Sequence, residues 1–286
     1  MALARIWRSS GKFRVGAVII IALILIAALN PLLVRLVIGN ASPLQAGTFG
    51  IFLDPSRQNP LGTDRFGRDV LVLVLIGLPN SLMVAAIAGV ISTIIGVTVG
   101  FTAGYKGGKI DAFLRTVTDM FLVVPTLPLI IVLAAYSRRV TILQLALILA
   151  VFSWPYAARV IRSQVLSLRE RPYIELSRMT NMRDREIIFQ DLLPNMLPYI
   201  GIGFAGTALG AAFALVGLEV IGLGPSDTMD LGLLINFAQG WGVLSLGKAA
   251  ILAAPVTLLI LLFLGVVLMN QGLEEIYNPR LQGGEA

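Results

Sequence analysis

The chain has 286 residues, 57% of them hydrophobic and only 13% charged, with a formal charge of +6 and a mean hydropathy of +0.87, whereas a soluble domain carries about 25% charged residues. This composition excludes a soluble globular protein: at about 20 residues per membrane-spanning helix it accommodates about six spans and no large catalytic domain. Cysteine and histidine are both absent, which excludes disulfides, Cys/His zinc sites and nucleophilic triads that use histidine as base.

The first element follows a basic start, Arg5, Arg8, Lys12 and Arg14, and runs apolar over residues 15–38 across Pro31. A basic start and an apolar run also describe a signal peptide. No clear small-residue cleavage site precedes the next charged loop, so the pattern predicts an uncleaved first span. Residues 39–79 form a segment rich in Pro, Gly, Asn and Asp. Within it 66–78 is apolar but short of a span, which predicts a peripheral or interfacial element. Further spans are predicted over 81–103, 117–136 and 140–158. The last two are separated by Ser137, Arg138 and Arg139, and each arginine costs about 2.5–3.5 kcal/mol at a bilayer centre, so a break is expected there. A hydrophilic loop over 159–196, a fifth span over 197–223, a loop over 224–248, a sixth span over 249–270 and a tail over 271–286 complete an all-α integral membrane protein with six transmembrane helices.

Six spans put both termini on one side. The N-terminus, the loop with Lys106, Lys109 and Arg115, the tail with Arg280, and the 159–196 loop hold fifteen of the 22 Lys and Arg residues. That last loop alone carries Arg159, Arg162, Arg169, Arg171, Arg178, Arg183 and Arg185. The positive-inside rule therefore predicts cytoplasmic termini, and the positive charge reads as membrane orientation rather than nucleic-acid binding.

Few residues could carry chemistry. Gly242-Val-Leu-Ser-Leu-Gly247-Lys248-Ala249 is a near miss to a nucleotide-binding P-loop, but Ala249 stands where Ser or Thr must hold magnesium, and the segment falls on the outer side. No catalytic, cofactor-binding or metal-ligating set is predicted in this chain. The 171–195 segment is more informative: Arg171-Pro172-Tyr-Ile174-Glu175-Leu176-Ser177-Arg178-Met179-Thr-Asn181-Met-Arg-Asp184-Arg-Glu186-Ile187-Ile188-Phe189-Gln-Asp191-Leu-Leu193-Pro194-Asn195. Pro172 suits the first turn of a helix and Asn181 tolerates the left-handed conformation that ends one. Two short helices, 173–180 and 182–190, are predicted, joined at Asn181 and stopped at Leu-Pro. Apolar residues between the charges imply a surface with something to touch.

The spacing Glu175-Leu-Ser, three residues, Asn181, nine residues, Asp191-Leu-Leu193-Pro194 resembles the EAA loop of ABC importer permeases, which docks as a coupling helix into a groove on a cytoplasmic ATPase. Asn59-Pro60-Leu61-Gly62-Thr63-Asp64-Arg-Phe-Gly67-Arg68-Asp69 and Gly104-Tyr105-Lys-Gly107-Gly108-Lys-Ile-Asp111, with Arg115, Asp119 and Pro125 beyond it, are similar to segments of the C-type dipeptide and oligopeptide permeases. Gly222-Leu223-Gly224 and Asn278-Pro279-Arg280-Leu281 extend the likeness across about residues 60–281. The resemblance implies the type I ABC importer permease fold. It implies as partners a second homologous permease chain, two ATPase subunits holding ATP and Mg, an external solute-binding protein and the lipid bilayer. It assigns ATPase coupling to Glu175, Leu176, Ser177, Arg178, Asn181, Asp184, Leu193 and Pro194. Di- or oligopeptides are the implied solute, with oligosaccharides, opines or nickel as alternatives among relatives.

The sequence also departs from that pattern. Leu176 and Ser177 replace two alanines, Asn181 replaces glycine, and Asp191 stands where histidine is frequent, so a particular ATPase partner or weakened coupling is implied. Glu219 is the one carboxylate predicted well inside a span, where the resemblance suggests a small polar residue. Intramembrane ionisable residues face a bundle interior or water, so Glu219 reads either as paired structurally with a neighbouring subunit or outer water, or as part of the translocation path. Gly201, Gly203, Gly206, Gly210, Gly217 and Gly222 mark the fifth span for close helix packing or for a deformable, path-lining helix. Asp111, Arg115 and Asp119 share a helical face and are expected to pair locally. A secondary transporter would need an ion-coupling constellation that one glutamate does not supply, and a membrane enzyme has no evident active-site residues.

Overall fold

The computed structural model describes residues 10–39, 42–136, 141–225 and 228–277. Arg5, Arg8, Arg138, Arg139 and the 278–281 motif lie outside the described residues. Within them all regular structure is helical, apart from an isolated bridge between Thr63 and Asp69. The helices are α1 (Gly11–Ala28), α2 (Asn30–Ile38), α3 (Val70–Lys106), α4 (Gly108–Val123), α5 (Thr126–Tyr136), α6 (Ile142–Arg169), α7 (Pro172–Met179), α8 (Asp184–Glu186), α9 (Leu193–Val220), α10 (Leu231–Gly240) and α11 (Ala249–Tyr277); a π-helical turn, Ile187–Leu192, joins α8 to α9. Among the described residues five helical stretches are long and apolar enough to cross a membrane, or six if the bent pair α4–α5 is counted as one span.

Element ends follow local chemistry rather than hydropathy. The helix that carries the second span begins at Val70, ahead of residue 81: the segment expected to be peripheral forms its first turns, with Val70, Val72, Leu73, Val74 and Leu78 buried. Its start is fixed by the Asn59–Asp69 motif. The Asp69 carboxylate accepts from Val72 N (3.1 Å) as N-cap and from Asn59 Nδ2 (2.7 Å), while Asp64 accepts from Phe66 N, Arg68 N and Arg68 Nε. Gly62 and Gly67 have φ of 77° and 69°, and a Cβ on either would meet a backbone oxygen at 2.4 or 2.2 Å, so only glycine fits there.

The third span is broken. Val124, immediately before Pro125, takes φ −67° and ψ 122°, as the steric rule for residues preceding proline requires, and the two halves meet at 72°. Helix α6 starts from a capping box, with Thr141 Oγ1 accepting from Gln144 N and Gln144 Oε1 from Thr141 N, and continues past the predicted end of the fourth span to Arg169. The loop expected over 224–248 contains α10, which Asp230 caps through Gly232 N (2.7 Å) and Leu233 N (3.1 Å). The near-miss P-loop is a turn, with Gly242 and Gly247 at φ 62° and 70°. Its Lys248 is bonded to Asp54 at 2.6 Å.

Packing rests on small residues. Along α3, a Cβ on Gly96 would meet Ala157 Cβ at 2.6 Å, on Gly100 the Ala158 oxygen at 2.7 Å, and on Gly104 Val165 Cβ at 2.9 Å. Helix α1 lies equally close to α11, where a Cβ on Gly16 would meet Gly265 O at 2.5 Å. Lys12 and Glu275 pair at the same end. The glycines of the fifth span do not make such approaches: a Cβ on Gly201, Gly203 or Gly206 would find its nearest atom at 3.7–3.9 Å, and Gly210 and Gly217 face open space. Close packing against α9 is supplied from the other side, by Gly89 of α3. Replacing Gly100 with Leu should therefore separate α3 from α6 and destabilise the fold by about 1–3 kcal/mol, the usual cost of overpacking. Gly210→Leu should cost far less, and thermal unfolding of the two variants in detergent checks the difference.

Candidate functional site

Helix α7 amphipathically caps the end of α6. Ile174 is fully buried and joins Ile161, Val165, Ile187, Leu192, Met196 and Phe101 in one apolar cluster, so the segment is fixed to the helical body on its inner side. Its outer side carries Leu176 (62% exposed), Met179 (74%) and, from the π turn, Phe189 (65%). Glu175 is exposed and Ser177 is half-buried; the side chain of Arg178 lies outside the description.

The two halves of the segment are stitched together. Asn181 adopts φ 58°, and Thr180 N and Met182 N donate to Leu176 O (3.0 Å) and Ser177 O (3.2 Å), closing α7. Ser177 Oγ donates to Asp191 Oδ2 at 2.7 Å. These are two of the positions at which the sequence departs from the EAA pattern, and they bond to each other. Asp184 accepts from Tyr105 Oη at 2.7 Å, which ties the segment to the end of α3. Arg169 Nη1 donates to Gly104 O at 2.8 Å.

Leu193 and Pro194 do not stop a helix. Proline lacks the N–H that an α-helix needs and its ring crowds the preceding turn. The chain widens into a π turn before it, with Leu193 N donating to Ile188 O, and continues as one helical path over Asp184–Val220. π turns of this kind recur at functional sites.

Cross-helix ion pairs hold the neighbouring surface. Asp111 receives Arg162 Nε and Nη2 at 2.5 and 2.6 Å, a bidentate pair, and Asp119 receives Arg159 Nη2 at 2.7 Å. The local Arg115–Asp119 pair is longer, at 3.6 Å, so the shared face expected to pair within α4 pairs chiefly with α6. Arg115, Asp119, Arg159 and Arg162 border a cavity of about 780 Å³. A second cavity, about 580 Å³, lies between α4, α5, α6 and α9 and is lined by Phe121, Phe152, Tyr156, Gly206, Gly210 and Phe213 among others.

Residues 96–282 match the family described as binding-protein-dependent transport system inner membrane component. An oligopeptide transport system permease protein OppC of Mycobacterium tuberculosis H37Rv is 34% identical over 228 residues, covering 79% of this chain and 77% of that protein. A dipeptide transport system permease protein DppC of Alkalihalophilus pseudofirmus is 34% identical over 280 residues, covering 94% and 86%. The chain belongs to the binding-protein-dependent transport permeases. Its fold is that of the MetNI methionine ABC transporter in inward-facing form, with TM-score 0.56 and 20% identity over 73% of this chain and 96% of that one. It is a multi-pass membrane protein of the type I importer permease class.

In this permease Glu219 lines neither of the two cavities above and is buried. It is 1% exposed, and its carboxyl meets that of Asp230, which is 0% exposed. Gly224 covers the Glu219 carboxyl so closely that a Cβ there would lie 1.9 Å from Cδ, and a Cβ on Gly232 would lie 2.8 Å from Glu219 Cβ. Burial pushes the Asp230 carboxyl above the usual carboxylate range, opposed by the hydrogen bond with Glu219 and then by the N–H groups of Leu233 and Gly232. The sequence singled out Glu219 but not its partner. An Asp before an apolar run signals a helix cap, and that role leaves one oxygen of Asp230 free for Glu219.

The left-handed Asn181 gives a direct test of how the 172–192 segment is held. Asn181→Ala should destabilise it by about 1 kcal/mol, because alanine keeps the Cβ but loses the short polar side chain that makes the left-handed conformation tolerable, while Asn181→Gly, which removes the Cβ, should be neutral or stabilising. Limited proteolysis across 172–192 reads the order.

Proposed function

We propose that this permease is one membrane subunit of an ATP-driven peptide importer, with both termini cytoplasmic, and that α7 and the π turn form its coupling surface for an ATPase subunit. The observation that carries the reading is the exposed apolar rim of Leu176, Met179 and Phe189 around Asn181, mounted on a segment whose inner side is locked to α6 by Ile174 and Ile187. A solvated loop has no use for apolar side chains held rigidly outward. An interface needs such anchors at its desolvated centre. Peptides are favoured as solute because relatives named as oligopeptide and dipeptide permeases align over most of the chain.

ATP and Mg would then reside on two partner ATPases, a second homologous permease chain would complete the pathway, and an external binding protein would deliver the solute. The Lys12–Glu275 pair between α1 and α11 supports termini on one side, and the positive-inside count supports that side being cytoplasmic. ATP-driven closure of the ATPases would move α7, and the continuous Asp184–Val220 path would carry that motion through the membrane. Such a switch requires ATP to favour one state by a differential binding free energy.

Leu176→Glu and Phe189→Ser should each weaken co-purification of the cognate ATPase by about tenfold or more, as loss of an interface anchor does, with thermal stability retained. Leu244→Glu, equally exposed on the opposite loop, should leave it unchanged. Undiminished ATPase capture by both coupling variants would reject the proposed surface.

A further inference from the structure

The contact between Glu219 and Asp230 has no counterpart in the coupling reading. Glu219 Oε1 and Asp230 Oδ2 are both buried without a hydrogen-bond donor, although the other oxygen of Asp230 is saturated by Gly232 N and Leu233 N at the start of α10. Uncharged groups surround them. Helix α3 presents Gly77, which packs on the Asp230 backbone, Asn80, whose Nδ2 donates to Met229 O at 2.6 Å, and Ser81, whose Oγ accepts from Leu231 N at 3.1 Å. Helix α10 presents Gly232, Leu233 and Asn236, the last donating to Val220 O at 3.0 Å, and Gly224 closes the remaining side. Among the described residues, the ionisable group acting on each carboxyl is the other. The charged side chains that flank the adjoining elements are partnered elsewhere: Lys248 with Asp54, Arg68 with Asp64, and Asp69 with Asn59 and Val72 N.

Two buried carboxyls in contact cannot both be ionised without a cation between them. Neutralising both would leave the N–H groups of α10, at the positive end of a helix, facing an uncharged acid. One proton resolves both conflicts: Asp230 stays the acceptor for the α10 amides and Glu219 supplies the missing O–H. A metal ion would need several further oxygen ligands, whereas the carboxyl face is packed against glycine backbone.

We propose that Glu219 and Asp230 bind a single shared proton, and that this acid–carboxylate bond fastens the end of α9 remote from the coupling segment to α10. The bound ligand is the proton itself, and the assignment is independent of which solute or ATPase the permease uses. The sign follows from linkage: a site that holds a proton in the folded state and releases it on unfolding makes the fold less stable as pH rises.

The test is thermal unfolding of the full chain in lipid nanodiscs from about pH 6 to about pH 9, with wild type, Glu219→Gln and Glu219→Ala in parallel. Glu219→Gln keeps a donor toward Asp230 without a titrating proton. Its melting temperature should stay level where that of wild type falls by a few degrees per pH unit, and Glu219→Ala should be lowest throughout. Parallel pH profiles for wild type and Glu219→Gln would overturn the proposal. If the Gln variant does not fold, infrared spectra of wild type and Asp230→Asn decide. A protonated-carboxyl stretch present in wild type and shifted in frequency in the variant, which leaves the acid but removes its carboxylate acceptor, supports the shared proton, and its absence from wild type or an unshifted band in the variant overturns it. Stabilisation of wild type by sodium or calcium at constant pH and ionic strength, absent in Glu219→Gln, would place a metal ion there and also overturn it.

Discussion

The closeness of α3 to α6 positions the 172–192 segment and the ends of the helices around it. In lipid there is no hydrophobic drive between helices, so association depends on atomic contact and on hydrogen bonds that small residues allow. Gly96, Gly100 and Gly104 recur at four-residue spacing, opening a groove along one face of α3 into which Ala157, Ala158, Ile161 and Val165 settle. Ser92 Oγ adds a bond to Ala150 O at 3.0 Å. Because the two helices stay in contact to their ends, Tyr105 reaches Asp184 and Arg169 reaches Gly104. The 172–192 segment inherits its place from that seam and not from contacts of its own outer face.

The second constraint is continuity. A helical path over Asp184–Val220 spans about 55 Å at 1.5 Å per residue, enough to cross the membrane with the coupling turn included. Pro194 threatens that path, and the π turn relieves the threat by shifting the hydrogen-bond register just before the proline. The result is a single rod with Asp184 at one end and Glu219 at the other. The helical path continues through Leu-Pro, which is where the sequence pattern alone places a stop.

Hydropathy reveals which segments are long and apolar enough for a membrane, and the multi-span, all-helical architecture was legible for that reason. Helix ends were less so, since they depend on caps that lie outside the apolar run: Asp69 starts α3 well before the hydropathy window, and Thr141 with Gln144 starts α6. The bend at Pro125 follows from a rule about the preceding residue, yet the apolar run is uninterrupted there and masks it. Helix α10 is apolar but too short to read as a span, so it was hidden in a loop. Pairs such as Asp111 with Arg162 or Ser177 with Asp191 join residues whose proximity no spacing rule supplies. The four-residue rule instead points Asp111 at Arg115.

Glu219 shows where such reading runs out and what takes over. An acidic residue in an apolar helix announces that it must have a partner, but its position says nothing about whether that partner is water, another chain or this one. The answer is contained in the glycines that follow. Gly224 and Gly232 leave the space that a carboxyl and its methylene stem occupy, and the turn at Gly222, with φ 78°, reverses the chain so that Asp230 returns to meet it. The resemblance suggests a small polar residue in place of Glu219. With glycine on both covering sides, a larger acid fits without displacing α10, provided that its charge is answered. Asp230, already fixed by the amides of α10, offers the remaining oxygen. Steric room and electrostatic need are thus met by different residues, and the substitution is tolerable only where both are present.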